Sequence, residues 1–171
     1  MRSPAATPPN TPNKRDSQCE SLLLVKNAII IIKTMARDLF HDAVKNALIK
    51  DGWRITDDPF SLKVGDSELY IDLGAERLIA AERNNEKIAV EIKSFIGNSS
   101  LSDFHLAVGQ FINYRIGLKA AYPDRKLFLA IPNTAYETFF KKEFPRMVIQ
   151  ECQLDILVYD IKNEVIVTWK I

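Results

Sequence analysis

The sequence predicts an α/β protein in which helices flank a mixed central sheet, and three stretches carry that reading. "ARDLFHDAVKNALIKDGW" repeats apolar residues at helical spacing, "KIAVEIKSF" alternates as a strand does, and "RKLFLAIP" is the near-continuous apolar run of a strand buried on both faces. At 171 residues, 47% hydrophobic and 26% charged, the chain has the size and composition of one full globular domain.

In the first stretch Leu39, Phe40, Ala43, Val44, Ala47 and Leu48 make the apolar stripe, and Gly52 supplies the C-terminal stop. From Trp53 to Phe95 the chain reads as a meander of strands. "WRIT" is short, "SELYIDLG" sets Leu69, Ile71 and Leu73 on one face, and "ERLIAAER" joins "KIAVEIKSF" through an Asn84-Asn85 hairpin turn. A second helix, "SLSDFHLAVGQFINYRIGLKAA", offers Phe104, Leu106, Ala107, Phe111, Ile112 and Ile116 to the core. After "RKLFLAIP" come a helical stretch around "TAYETFFKKEF" and two end strands, "LDILVYD" and "EVIVTWK", whose edge is open to pairing with another chain. The element order is that of an α/β sandwich around a mixed sheet, and no Gly-rich phosphate loop is present.

The N-terminus differs. "RSPAATPPNTPNKRDSQ" lacks the apolar content to fold alone, so residues 1–34 read as a poorly ordered extension and 35–171 as the single folded domain. The run "LLLVKNAIIII" is broken by Lys26 and Asn27 and too short for a comfortable membrane span. Lys14 and Arg15 precede it as in a signal peptide, but no small-residue cleavage site follows. Met35 is read as the natural start; intact residues 1–34 in mass spectra of the native protein would overturn that. Cys19 and Cys152 fit neither a disulfide framework nor a metal-ligand spacing, which favours a cytoplasmic setting. A formal net charge of +1 gives no global basic field, so nucleic-acid contact would need a local patch.

The chemistry is concentrated on one strand. Side chains alternate faces, so Ile88, Val90 and Ile92 point to one side and Ala89, Glu91 and Lys93 to the other. An acid and an amine thus share a face within a strand that reads as buried. A neighbouring strand would bring Asp72 within metal-sharing reach of Glu91, and two carboxylates suit a hard cation such as Mg2+. A water on that cation is a nucleophile of lowered pKa, and Lys93 would orient it or stabilise developing charge.

"YIDLGAE" with "VEIKSF" resembles the acid…(D/E)xK signature of the PD-(D/E)XK nuclease superfamily at Asp72, Glu91 and Lys93, and "GQFINYR" is similar to its QxxxY element at Gln110 and Tyr114. More closely, the chain from Met35 onward resembles the cyanobacterial XisH family, the fdxN element excision controlling factors, in "ARDLFHDAVKNALIKDGW", "LYIDLGAE", "KIAVEIKSF", "FHLAVGQFINYR" and "YETFF". The resemblance implies a restriction-endonuclease-like α-β-β-β-α-β core, a role in programmed excision of a DNA element, and partnership with a site-specific recombinase and a small XisI-like protein. It also implies catalytic roles for Asp72, Glu91, Lys93 and Gln110, with Asp72 and Glu91 as metal ligands and Tyr114 as an accessory. The motif's proline is absent, since Ile71 precedes Asp72, and His41 stands where many relatives carry a metal-facing Glu on the first helix. His favours Mn2+ or Zn2+ over Mg2+, which leaves the metal preference open, with Mg2+ or Mn2+ expected.

Plainer readings stand beside these. Glu91 and Lys93 also suit a solvated salt bridge, Gln110 and Tyr114 a surface hydrogen-bonding pair, and His105 a packing or capping role. Glu76 or Glu82 would substitute as ligands under another register. Arg115, Lys119, Arg125 and Lys126 suit either a phosphate-facing patch or a solvated helix end. Two functions therefore remain: a metal-dependent DNA endonuclease, or a catalytically silent subunit that binds DNA or a partner, as a homodimer or a heteromer, without a membrane.

Overall fold

The computed structural model describes residues 14–69, 78–83 and 86–170, and divides into a unit of Met1–Met35 and a unit of Ala36–Ile171. Helix α1 runs over Lys14–Lys50. Residues from Lys14 to Thr34, expected to be poorly ordered, are thus helical, while residues 1–13 lie outside the described ones. Leu23, Leu24, Val25 and Ile29 to Ile31 of the first unit are exposed. Among the described residues no helix is long and apolar enough to cross a membrane.

The second unit is an α/β fold. After the C-terminal part of α1 come β1 (Arg54–Asp57), β2 (Leu62–Val64), β3 (Ser67–Leu69), β4 (Leu78–Arg83) and β5 (Glu86–Ile92). Helix α2 (Ser100–Ala121) leads into β6 (Arg125–Pro132). The chain continues through the short α3 (Asn133–Ala135), a π-helical turn at Tyr136–Phe140, and α4 (Glu143–Glu151). Strands β7 (Ile156–Asp160) and β8 (Val165–Lys170) complete the order. Six strands form one sheet in the order β1-β4-β5-β6-β7-β8. β5, β6 and β7 run parallel, and the flanking pairs are antiparallel.

One topological expectation needs correction. The strands before β5 do not form a simple meander: β2 and β3 pair with each other as a separate hairpin, and β1 pairs with β4 across that insertion. "SELYIDLG" is strand only over Ser67–Leu69 among the described residues, and its partner is β2, not β5.

Alternation on the central strands builds two cores. Ala89, Leu127, Leu129, Ile131, Ile156 and Val158 face α2 and its Phe104, Ala107, Phe111, Tyr114 and Leu118. Ile88, Val90, Ile92, Phe128, Ala130, Leu157 and Tyr159 face Phe40, Ala43, Val44 and Leu48 of α1. Three residues expected in the core are instead exposed: Leu39 at 58%, Leu106 at 59% and Ile116 at 65%. At 3.6 residues per turn Leu106 lies about 200° round the helix from Phe104, off the stripe that meets the sheet. The π turn allows the successive residues Phe139 and Phe140 both to reach Phe104, each at 5.5 Å between ring centres.

Asp58, just beyond β1, ties that edge of the fold to α1. Its carboxylate receives Lys45 Nζ at 3.0 Å and lies 2.8 Å from His41 Nε2. Burial works against ionising Asp58, but the Lys45 hydrogen bond and the His41 charge and hydrogen bond outweigh it and hold the pKa below the ordinary value. A depressed carboxylate contributes stability above its unfolded pKa and loses it as pH falls through the folded one. Asp58→Asn should therefore cost about 1 kcal/mol at neutral pH. The difference from wild type should vanish in strong acid, as denaturant melts at successive pH values would show.

Candidate active site

β5 is the central strand of the described sheet, with β4 antiparallel on one side and β6 parallel on the other. Glu91 pairs in register with Leu78 and Leu129, so strands enclose it laterally. Lys93 lies just past the strand end, and its N–H donates to the Ala130 carbonyl at 3.0 Å, which extends the β5–β6 register to the residue that bears the amine. Parity puts Glu91 on the same face as Ala89, beneath α2.

Both groups are buried, Glu91 at 0% and Lys93 at 2% exposure, and Lys93 Nζ lies 3.2 Å from Glu91 Oε1. The solvated-face reading is thereby excluded. Neither Glu91 oxygen accepts a hydrogen bond among the described residues. Burial pushes the Glu91 carboxyl up to about 8. It pulls the Lys93 amine down to about 7, against the opposing charge of Asp103. Both shifts express one cause, the loss of water from a charge. The two groups are close enough to titrate as a pair.

Helix α2 supplies the roof. Ser99 caps it, accepting the Ser102 N–H at 3.3 Å, and this sets the phase that turns Tyr114 inward. Tyr114 is buried, and burial together with the Glu91 charge raises its pKa. Gln110 lies one turn earlier, and its Oε1 is buried without a hydrogen-bond partner among the described residues. The structure thus places Glu91 within electrostatic reach of both Lys93 and Tyr114, and on the same helix as Tyr114 the Gln110 Oε1 accepts no hydrogen bond among the described residues.

The remaining expectations fare differently. Asp72 and Glu76 lie outside the described residues, as do Asn84 and Asn85 of the expected turn. Glu82 is not beside Glu91: it pairs with Lys87 and Arg54, four positions along β4 from Leu78. His41 is buried and engaged at both ring nitrogens, by Asp42 at 3.3 Å and Asp58 at 2.8 Å. His105 is exposed on α2, its ring 6.4 Å from that of Phe144.

Sequence reasoning passed over Asp103. Its Oδ2 accepts the Gly97 N–H at 3.0 Å, and its charge favours the protonated form of Lys93. A Cβ at Gly97 would lie 2.5 Å from Asp103 Oδ1, so a side chain there would displace the Asp103 carboxylate. Phe95 holds the same loop in the left-handed region at φ 53°, anchored by Phe140 with ring centres 4.9 Å apart. The only sequence signal for Asp103 is an acid in the first turn of a capped helix, which the helix dipole explains by itself.

A divalent cation is compatible with these donors. Two buried carboxylate oxygens that accept no hydrogen bond are what a hard cation requires, and the Gln110 Oε1 is a further free oxygen. Among the described residues no group of three or more His, Cys, Asp or Glu converges as a ready-made cluster. Glu91 would then hold the cation with ligands from elsewhere.

Fold and site together define a class: a mixed α/β protein that buries a carboxyl–amine pair at the end of a central strand. A family model described as XisH protein matches residues 34–167. The chain belongs to the XisH family. It is similar to the solved structure of an XisH family protein from Nostoc punctiforme, at 52% identity and a TM-score of 0.71. It is also similar to that of a FdxN element excision controlling factor protein from Anabaena variabilis, at 53% identity and a TM-score of 0.71. Each comparison covers 77% of this chain and 98% of the other. No curated protein matches.

Proposed function

We propose that this protein takes part in excision of a DNA element and that Glu91 and Lys93 form an endonuclease-type site for phosphodiester hydrolysis. One observation carries the reading: a fully buried carboxyl group whose oxygens accept no hydrogen bond among the described residues lies 3.2 Å from an amine. A fold kept for stability alone would gain by replacing such a pair with apolar side chains. Glu91, with Asp72 as the second expected ligand, would hold Mg2+ or Mn2+. When bound, that ion supplies charge neutralisation and an acidified water. Lys93 presents a compact donor that holds or releases a proton near neutral pH, Tyr114 closes the roof against water, and Gln110 directs a free carbonyl oxygen. The Anabaena variabilis relative named for fdxN element excision supports the process. A recombinase and a small XisI-like protein belong to the same proposal through the family resemblance.

A second reading has its own observation. Glu91 and Lys93 are almost wholly buried, at 0% and 2% exposure, which suits a silent scaffold that binds DNA or a partner. β8 is an edge strand with Val165 and Val167 exposed, and it offers a pairing edge for such a partner or a second copy. The test is cleavage of supercoiled, branched and single-stranded DNA with Mg2+ or Mn2+, with and without a small partner protein. Metal-dependent cutting supports the first reading. Binding without any cutting supports the second.

A further inference from the structure

A concentration of basic side chains in the second unit lies outside the Glu91 site. A cleft of about 1110 Å3 opens among α2, the π turn, α4 and the end of β8, and Arg115, Lys141, Arg146 and Lys170 line it. A second cleft of about 290 Å3 shares Arg115 and Asp155 with it and adds Lys119, Arg125 and Lys126. The acids lining the two are Asp155 and Asp124. The surface therefore carries five net positive charges in a chain whose formal net charge is +1, so the rest of the molecule is net negative. Within the second unit a polyanion would be steered to this face.

The cations do different jobs. Arg115 is structural: it donates to the Cys152 and Gln153 carbonyls at 2.6 and 2.9 Å and ties the end of α4 to α2. Arg125 donates to the Ile88 carbonyl at 2.8 Å. Lys141 pairs with Glu137, and Lys126 lies 3.5 Å from Asp155. Arg146 and Lys170 make no ion pair among the described residues, so their charge is available to a ligand. Of the apolar residues of the cleft, Phe140, Leu154 and Ile156 are core side chains and Tyr136 and Ile149 are half-buried, whereas Arg146, Lys170, Gln150 and Gln153 are exposed, so charge and amides are what the surface presents most fully. Exposed cations beside amide groups are the side chains that contact a phosphate backbone.

We infer that this double cleft is a docking surface for the sugar-phosphate backbone of DNA, with Arg146 and Lys170 as the contacting cations. The inference rests on the reading of the protein as one that acts on DNA, and gives that reading a binding face distinct from the Glu91 site. The test is fluorescence anisotropy of a short labelled duplex, titrated over a salt series without divalent metal. Wild type is compared with Arg146→Gln/Lys170→Gln and Arg146→Glu/Lys170→Glu, and unchanged melting curves confirm folding. The neutralised variant should lower the slope of log K against log salt by about 2, and affinity should fall by about tenfold or more at low salt. The charge-reversed variant should bind more weakly still. Equal affinity and slope in all three would overturn the inference while leaving the DNA reading standing. Wild type that binds no DNA even at low salt would overturn both, and competition by poly-glutamate as effective as by DNA would assign the cleft to an acidic protein instead.

Discussion

Glu91→Ala should abolish metal-dependent DNA cutting, a loss of at least about a thousandfold, and Lys93→Ala should cost about a hundredfold or more. The asymmetry follows from their places. Glu91 offers two buried oxygens that accept no hydrogen bond among the described residues, so its removal takes away the cation's anchor in a central strand. Lys93 acts beside it at 3.2 Å, through a charge or a proton, and part of its contribution survives without it. The pH profile separates those two roles. With its pKa pulled down to about 7, Lys93 loses its charge as pH rises through that value. Activity that needs the ammonium falls above pH 7; activity that needs the free amine rises there. Equal cutting by wild type and Glu91→Ala would sink the assignment.

The second large effect is on stability and has the opposite sign. Replacing the pair by Glu91→Leu/Lys93→Met should stabilise the fold by about 2 kcal/mol, because taking two ionisable groups out of water costs more than their attraction returns. For a chain of this length that is about 4–8 °C in Tm. The pH dependence has a defined shape. A raised carboxyl contributes stability below its unfolded pKa near 4.5, and that contribution is lost as pH rises to about 8. A depressed amine contributes stability above its unfolded pKa near 10.5, and loses it as pH falls to about 7. Both deficits coincide between these folded values, so the gain of the double variant should peak near pH 7 to 8 and shrink toward pH 4.5 and 10.5. Calorimetric melts across that range check it. Added Mg2+ should raise the wild-type Tm by mass action and leave the variant unmoved. A variant less stable than wild type at pH 7.5 would mean that the pair holds the fold together.

Other features were legible for local reasons. The second helix, predicted over "SLSDFHLAVGQFINYRIGLKAA", is α2 at Ser100–Ala121, because a serine cap and a following Pro123 mark its ends in the chain itself. "RKLFLAIP" is β6, buried from Leu127 to Pro132, because only a strand packed on both faces tolerates so continuous an apolar run. The Glu91–Lys93 juxtaposition was legible too, since alternation along a strand needs no tertiary information.

What the chain does not carry locally is which strands become neighbours and how deep each position sits. "SELYIDLG" reads as well for a strand beside β5 as for the hairpin that β3 makes with β2, because alternation specifies a face and not a partner. Leu106 and Ile116 look like core residues in an apolar helix until the sheet selects one stripe of it. Asp103 shows only as a helix-start acid, and its tie to Gly97 and its influence on Lys93 appear once the loop folds back. The sequence by itself determined the elements, their alternation and the acid–amine pair, all properties of neighbours along the chain. The tertiary structure alone decided that the pair is sealed from water. Burial depends on what covers a residue, and the cover over Glu91 comes from β4, β6 and α2, each distant from it in the chain or free to pair otherwise.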